Sequence, residues 1–169
     1  MTLPSSGSLS TQQINVELGN PQDARLDVNA AEMRILCGAA TTGQVSIAGA
    51  YGRMPTGQYI LTSAQLQAAP NAQYGYRVFA TGSKINNIVF KGYNLTIVAW
   101  NDYDKVLGIG VDQTNAPTNL VTNFWSSVTG YLGAPTQYTS DLGGNTVYGW
   151  TWNGTNPFPV SSVQMVQIV

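Results

Sequence analysis

The chain has 169 residues, room for one domain or for a small module followed by a domain of about 110 residues. Charged residues are only 9% of it, the net charge is -1 and the basic residues are scattered, so phosphate-driven binding of nucleic acid has no electrostatic footprint. Histidine is absent and cysteine occurs once, which removes Ser-His-Asp and Cys-His catalysis and leaves zinc without a ligand set.

From Leu3 to Arg53 the chain repeats a short apolar step, a polar cap and a brief helix, three times over. In the first unit Ser10 and Gln13 have capping-box spacing ahead of Ile14 and Leu18, and Gly19 stands at the C′ position. In the second, Asn29 is the expected N-cap, Glu32 its reciprocal partner three residues on, and Gly38 the stop. The third carries Gly49 where a helix former would help, so its helix is expected to be about one turn. Helices this short do not stand alone, and Leu9, Ile14, Leu18, Leu26, Val28, Met33, Ile35, Leu36, Val45, Ile47 and Tyr51 are expected to share one small core.

These residues carry a resemblance. Leu3-Pro4-Ser5-Ser6-Gly7, Ile14-Asn15, Glu17-Leu18-Gly19, Asn29, Arg34, Leu36, Gly38, Gly43, Ser46 and Tyr51-Gly52 fall in register with a segment found in tailed-bacteriophage virion proteins. That segment reads L-P-S-S-G-x-I-S-L-x-x-I-N-x-E-L-G, then I-S-L-N-D-x-x-V-R-x-L-A-G, then S-G-x-I-S-L-S-D-x-Y-G-K. The chain resembles this family over its first third and departs from it at Asp27, Ala30, Cys37, Ala48-Gly49 and Arg53. The resemblance implies a non-enzymatic structural component of a virion, associated with the tail, baseplate or a fibre and assembled in the host cytoplasm. A head or neck decoration protein is the alternative. It implies an attachment module at residues 1–53 that meets other phage virion proteins, with Leu3, Pro4, Leu9, Ile14, Glu17, Leu18, Arg34 and Tyr51 as its marked residues. Leu9, Ile14, Leu18 and Ile35 are expected to hold the module together, while Leu3 to Ser6 form an extended arm that bonds a partner.

Residues 54–57 read as a linker to a β-domain at 58–169. Tyr59 to Thr62 is a strand, and Ser63 is expected to cap a helical turn over Ala64 to Ala68. Period-two alternation begins at Gln73, and Lys84 to Phe90 with Tyr93 to Trp100 form a hairpin around Lys91-Gly92. Leu95, Ile97 and Ala99 are expected on one face of that strand, Thr96, Val98 and Trp100 on the other. Lys105 to Val111 is a strand whose Gly108 and Gly110 permit a bulge or a close neighbour. Asn119 to Val128 puts Leu120, Val121, Phe124, Trp125 and Val128 on one helical face yet is rich in strand formers, so helix is favoured over strand with both open; Gln137 to Thr139, Thr146 to Trp152 and Val160 to Val169 are strands. The fold class is therefore mainly β: a small strand-helix module, then an antiparallel sandwich or barrel.

Chemistry is sparse. Asp102 and Asp104 lack the spacing of a calcium loop and read as turn formers, and Gly108-Ile109-Gly110 is a lone G-x-G without a following helix. No catalytic, cofactor-binding or metal residue is assigned, and no stretch reaches the ~20 apolar residues of a membrane span. Tyr148, Trp150 and Trp152 alternate at period two and share a strand face. That face suits a core, a subunit interface or a host surface glycan stacked on its rings. The low charge suits a solvated β-domain with a neutral polar surface and equally a surface covered by neighbours; on the second reading a homo-oligomer is expected.

Overall fold

The computed structural model describes residues 3–40, 42–51, 57–139 and 143–169. The first part carries α1 (Thr11–Glu17), α2 (Ala31–Cys37) and a 3-10 turn (Ile47–Ala50). The expected capping box is present on α1: Gln13 N–H donates to Ser10 Oγ at 3.2 Å and Ser10 N–H donates to Gln13 Oε1 at 2.9 Å. The second box does not form. The residue preceding α2 is Ala30, without a side-chain cap, because Asn29 Oδ1 accepts from Arg34 Nη2 at 3.1 Å instead. Gly38 closes α2 in the left-handed conformation, φ 65°. The last unit is a single turn, and packing requires a glycine within it: a Cβ on Gly49 would lie 2.3 Å from the carbonyl oxygen of Cys37.

The strands are β1 (Gln58–Thr62), β2 (Ala64–Gln67), β3 (Gln73–Arg77), β4 (Lys84–Ile85), β5 (Val89–Phe90), β6 (Tyr93–Asn101), β7 (Val106–Val111), β8 (Phe124–Ser126), β9 (Gly130–Tyr131), β10 (Gln137–Thr139), β11 (Thr146–Thr151) and β12 (Val163–Ile168). They form two antiparallel sheets. The first runs β4-β1-β12-β8-β9; the second runs β10-β11-β7-β6-β3-β2, with β5 paired to β6. Alternation puts Tyr59, Leu61, Val166, Ile168 and Phe124 of the first sheet against Val98, Trp100, Leu107, Ile109, Tyr148 and Trp150 of the second, all buried in one core. Phe124 lies 6.0 Å from Trp150 and meets Phe158 edge-on at 6.3 Å between ring centres. Each such side chain contributes about 1.5–3 kcal/mol by leaving water, so this interior dominates the fold.

Several expectations are corrected. Asn119 to Val128 forms no helix: Leu120 and Val121 enter the core from an irregular segment, and Phe124, Trp125 and Ser126 pair with β12 as β8. Val, Thr, Phe and Trp here follow their strand preference. Ala64 to Gln67 is a strand, not a helical turn, because the Ser63 hydroxyl bonds Pro159 O and Ser162 rather than capping the next turn. Lys84 to Phe90 divides, β4 pairing with β1 and only β5 with β6. In β6 the register slips between Leu95 and Ile97, so Leu95 points inward with Val98 and Trp100 while Ile97 and Ala99 face out.

Of the expected linker, residues 54–56 lie outside the described residues. Gly57 already belongs to the first sheet's margin, its carbonyl accepting from Ile168 N–H at 2.7 Å.

Candidate functional site

The module residues come together as one body. Ile14, Leu18, Met33 and Leu36 are buried in a second cluster, with Leu9, Leu26, Ile35 and Val45 packed on its margin, whereas Val28 and Ile47, expected in the same core, are exposed. Arg34 is its tie: Nε and Nη2 donate to Asn29 O and Oδ1, Nη1 donates to Ala40 O at 2.9 Å, and Nη2 also reaches Gly43 O at 3.0 Å. Tyr51 Oη donates to Gly7 O at 2.7 Å and brings the last unit back to the first. Asn15 Nδ2 donates to Gln22 O and to Ala24 O at 2.7 Å. Burial pushes the Glu17 carboxyl above the ordinary glutamate range.

The arm reading is corrected for Leu3. It is buried in the module's own cluster, with Pro4 half-buried beside it and only Ser5 and Ser6 exposed. The module's apolar face is completed within the chain. Ile60, on the outer side of β1, is buried in that cluster and Val163 of β12 packs against it. Asn86 seals the joint: its Oδ1 accepts from Ile60 N–H at 2.8 Å and its Nδ2 donates to Glu17 O at 2.8 Å. Lys84 Nζ donates to Asn20 Oδ1 close by. The module thus sits on the outer face of the first sheet.

The aromatic strand is interior. Tyr148 and Trp150 are buried, Tyr148 Oη donating to Pro117 O at 2.7 Å and Trp150 Nε1 to Gly133 O at 2.9 Å. Burial raises the Tyr148 phenol to about 12. Trp152 is half-buried, its Nε1 bonded to Thr155 O. The shared face is as expected, but the rings of Tyr148 and Trp150 have no exposed surface to offer a glycan. Asp102 and Asp104 are turn residues: Lys105 Nζ bonds Asp102 Oδ1 and Asn101 Nδ2 bonds Asp104 Oδ2 at 2.7 Å.

What sequence reasoning missed is a trough on the outer face of the second sheet, on the side away from the module. Its volume is about 570 Å³. Pairing sets Gly149 opposite Gly108 and Gly108 opposite Ala99, so three neighbouring strands present nothing larger than a methyl group in one line. Gln73, Asn101, Asp104 and Val106 stand on one side of that line, Arg77, Ile97, Val147 and Thr139 on the other, with Gln137 at the β10 end. Crossing from β3 to β10 spans four strand spacings, roughly 19 Å. Arg77 Nη2 donates to Gln73 Oε1 at 2.8 Å, and Gln137 Nε2 donates to Thr151 Oγ1 at 3.4 Å. The only available signal was glycine inside strand patterns, and its alignment appears only once the strands are paired.

Among the described residues no helix is long and apolar enough to cross a membrane, and no group of three His, Cys, Asp or Glu could hold a metal ion. No family model, no curated protein and no solved structure matches the chain.

Proposed function

We propose that the chain is a non-enzymatic structural subunit of a tailed-bacteriophage particle, associated with the tail, baseplate or a fibre and assembled there with other virion proteins and with its own copies. The observation that carries this reading is where the residues shared with the virion pattern fall. Gly7 receives the Tyr51 hydroxyl, Arg34 joins Asn29 to Gly43, Asn15 holds the chain after α1, and Ile14, Leu18 and Leu36 fill one cluster. A chance run of matches would scatter over unrelated positions; these are the module's own joints. The pattern therefore marks the contacts that hold the module together, which supports reading it as an adaptor.

Because the module's apolar face is occupied by β1 and β12, attachment uses its polar outer side rather than an unfilled core. The outer side carries Ser5, Ser6, Gly7 and Ser8 and the exposed apolar Val28 and Ile47. The test is a peptide tag on residue 169, located by electron microscopy on purified particles. Label on tail, baseplate or fibre is expected; label on the head or neck moves the protein to the decoration class, and particles without label refute the reading. A chain lacking residues 2–56 is expected to fold and to be missing from particles.

A further inference from the structure

A glycine inside a strand gives up side-chain packing, so each one asks for a reason. For three in the second sheet the reason is internal. A Cβ on Gly110 would lie 2.5 Å from Ile97 Cγ2, one on Gly75 would lie 2.3 Å from Val98 O, and one on Gly149 would crowd Gln137 Cβ and Val106 Cγ1 at 3.3 Å. At Gly108 the nearest atom is Val147 Cγ1 at 3.4 Å, so a side chain there would chiefly raise the floor of the trough. The polar side chains of the rim are already bonded within the chain: Gln73 Oε1 to Arg77, Asn101 to Asp104 and to Tyr103 N–H, Gln137 Nε2 to Thr151. That fits a face that meets another protein surface better than one that collects a polar small molecule.

The two ends of the trough carry opposite chemistry. At one end Arg77 bonds only the Gln73 side chain, and Phe79 beyond it is fully exposed at φ 66°, a conformation rare for so bulky a residue. At the other end the turn after β6 carries Asp104, whose carboxylate is bonded to Asn101, and Tyr103, which is 69% exposed. Neither Arg77 nor Asp104 has an ion-pair partner among the described residues. Val78 N–H donates to Thr96 O, so Phe79 leaves beside the start of β6, whereas Tyr103 and Asp104 stand past its end.

We propose that this face docks a second copy of the chain about a twofold axis that lies along the face and crosses the strands near Ala99 and Gly108. Such an axis exchanges the two ends. It sets Arg77 against Asp104 of the second copy and Phe79 against Tyr103 of the second copy, and each contact forms twice. The faces come closest near the axis, where Ala99 and Gly108 keep the surface low; Ile97 and Val106, which border them, fill the other copy's trough. The face is four strand spacings wide and as long as the nine residues of β6, roughly 19 by 30 Å or about 600 Å² a side. Standard interfaces bury about 800 Å² per partner, so the contact suits a reversible dimer. The assignment rests on the self-association in the reading above, not on the particle.

The test uses the purified full chain alone, so its outcome is separate from that of the labelled particles. Sedimentation equilibrium from micromolar to near-millimolar concentration is expected to show a reversible dimer that weakens as salt is raised. Arg77→Asp and Asp104→Arg should each weaken it roughly tenfold or more, because each sets like charges together twice. The double variant, Arg77→Asp with Asp104→Arg, exchanges the charges and should restore the dimer, which a merely structural effect of either change would not do. Phe79→Ser should weaken it roughly five- to a hundredfold by removing two ring contacts. If Arg77→Asp melts below wild type, Asp104→Arg and Phe79→Ser, both at exposed residues, must each weaken the dimer instead. The proposal is overturned if the chain stays monomeric, if it dimerises and both single reversals leave the dimer unchanged, or if the double variant is folded but no tighter than the singles. It is also overturned if the amides of Ala99 and Gly108 shift on adding a saccharide or a peptide but not on raising the chain's own concentration.

Discussion

Replacing Asn86 by Ala tests the joint between module and sandwich directly. The amide is buried and answers two backbone groups that have moved out of water, Ile60 N–H and Glu17 C=O, each at 2.8 Å. Truncation leaves both without that partner, at about 1–3 kcal/mol each. Water admitted to the gap brings the loss toward the lower end, so about 3 kcal/mol is expected in total, or roughly 6–12 °C in melting midpoint for a chain of this length. Urea denaturation followed by tryptophan fluorescence measures it, because all four Trp lie in the sandwich part. Asn86→Asp sharpens the argument: it keeps an acceptor for Ile60 N–H but turns a carboxylate toward the Glu17 carbonyl. It should therefore be less stable than Asn86→Ala at pH 7 and recover as acid protonates the new carboxyl. An Asn86→Ala chain within about 0.5 kcal/mol of wild type would refute the reasoning, since that is the scatter of neutral surface changes.

Arg34→Lys keeps the charge but has one nitrogen for contacts now spread over three, so about 1 kcal/mol should be lost and limited proteolysis should open the segment 38–46 first. Phe124→Ala removes a ring packed between Trp150 and Phe158 and should cost about 3–5 kcal/mol in urea denaturation; a loss under about 1 kcal/mol would contradict its place in the core. Glu17 has its folded pKa raised by burial, so its contribution is fully present below the unfolded value of about 4.5 and is lost as pH rises through the folded one. Melting curves of Glu17→Gln should accordingly lose less stability than wild type over that rise, and parallel curves would show that burial does not govern this carboxyl.

Local chemistry was legible where it competed with nothing. Ser10 and Gln13 cap α1 because both are exposed and three residues apart, and Gly38 ends α2 because it alone in that turn adopts φ 65° without strain. Asn29 had the same local qualification, but Arg34 claims its side chain, a contact set by the loop at Gly43 rather than by spacing. Ser63 likewise answers to Pro159 and Ser162, nearly a hundred positions away. Leu95 faces inward only because β6 slips a register against β7, and no period in its own sequence records that. The trough is the extreme case: Gly108 and Gly149 are separated by forty residues and become neighbours only by pairing.

The position of β1 fixes an order of events. Tyr59 waits for Val166 of β12, made about a hundred residues later, and Leu61 has only the short β4 as an earlier neighbour, whereas Ile60 can be covered at once by the module, which precedes it. Loop closure over so long a separation is slow, while β6 and β7 meet across a four-residue turn. The module thus acts as an early shield for a strand that would otherwise stand unpaired with an apolar side exposed, the state most open to wrong pairing. Pulsed hydrogen exchange during refolding should protect amides of β6 and β7 before those of β1, and a chain without the module should refold with more aggregation than its equilibrium stability alone would explain.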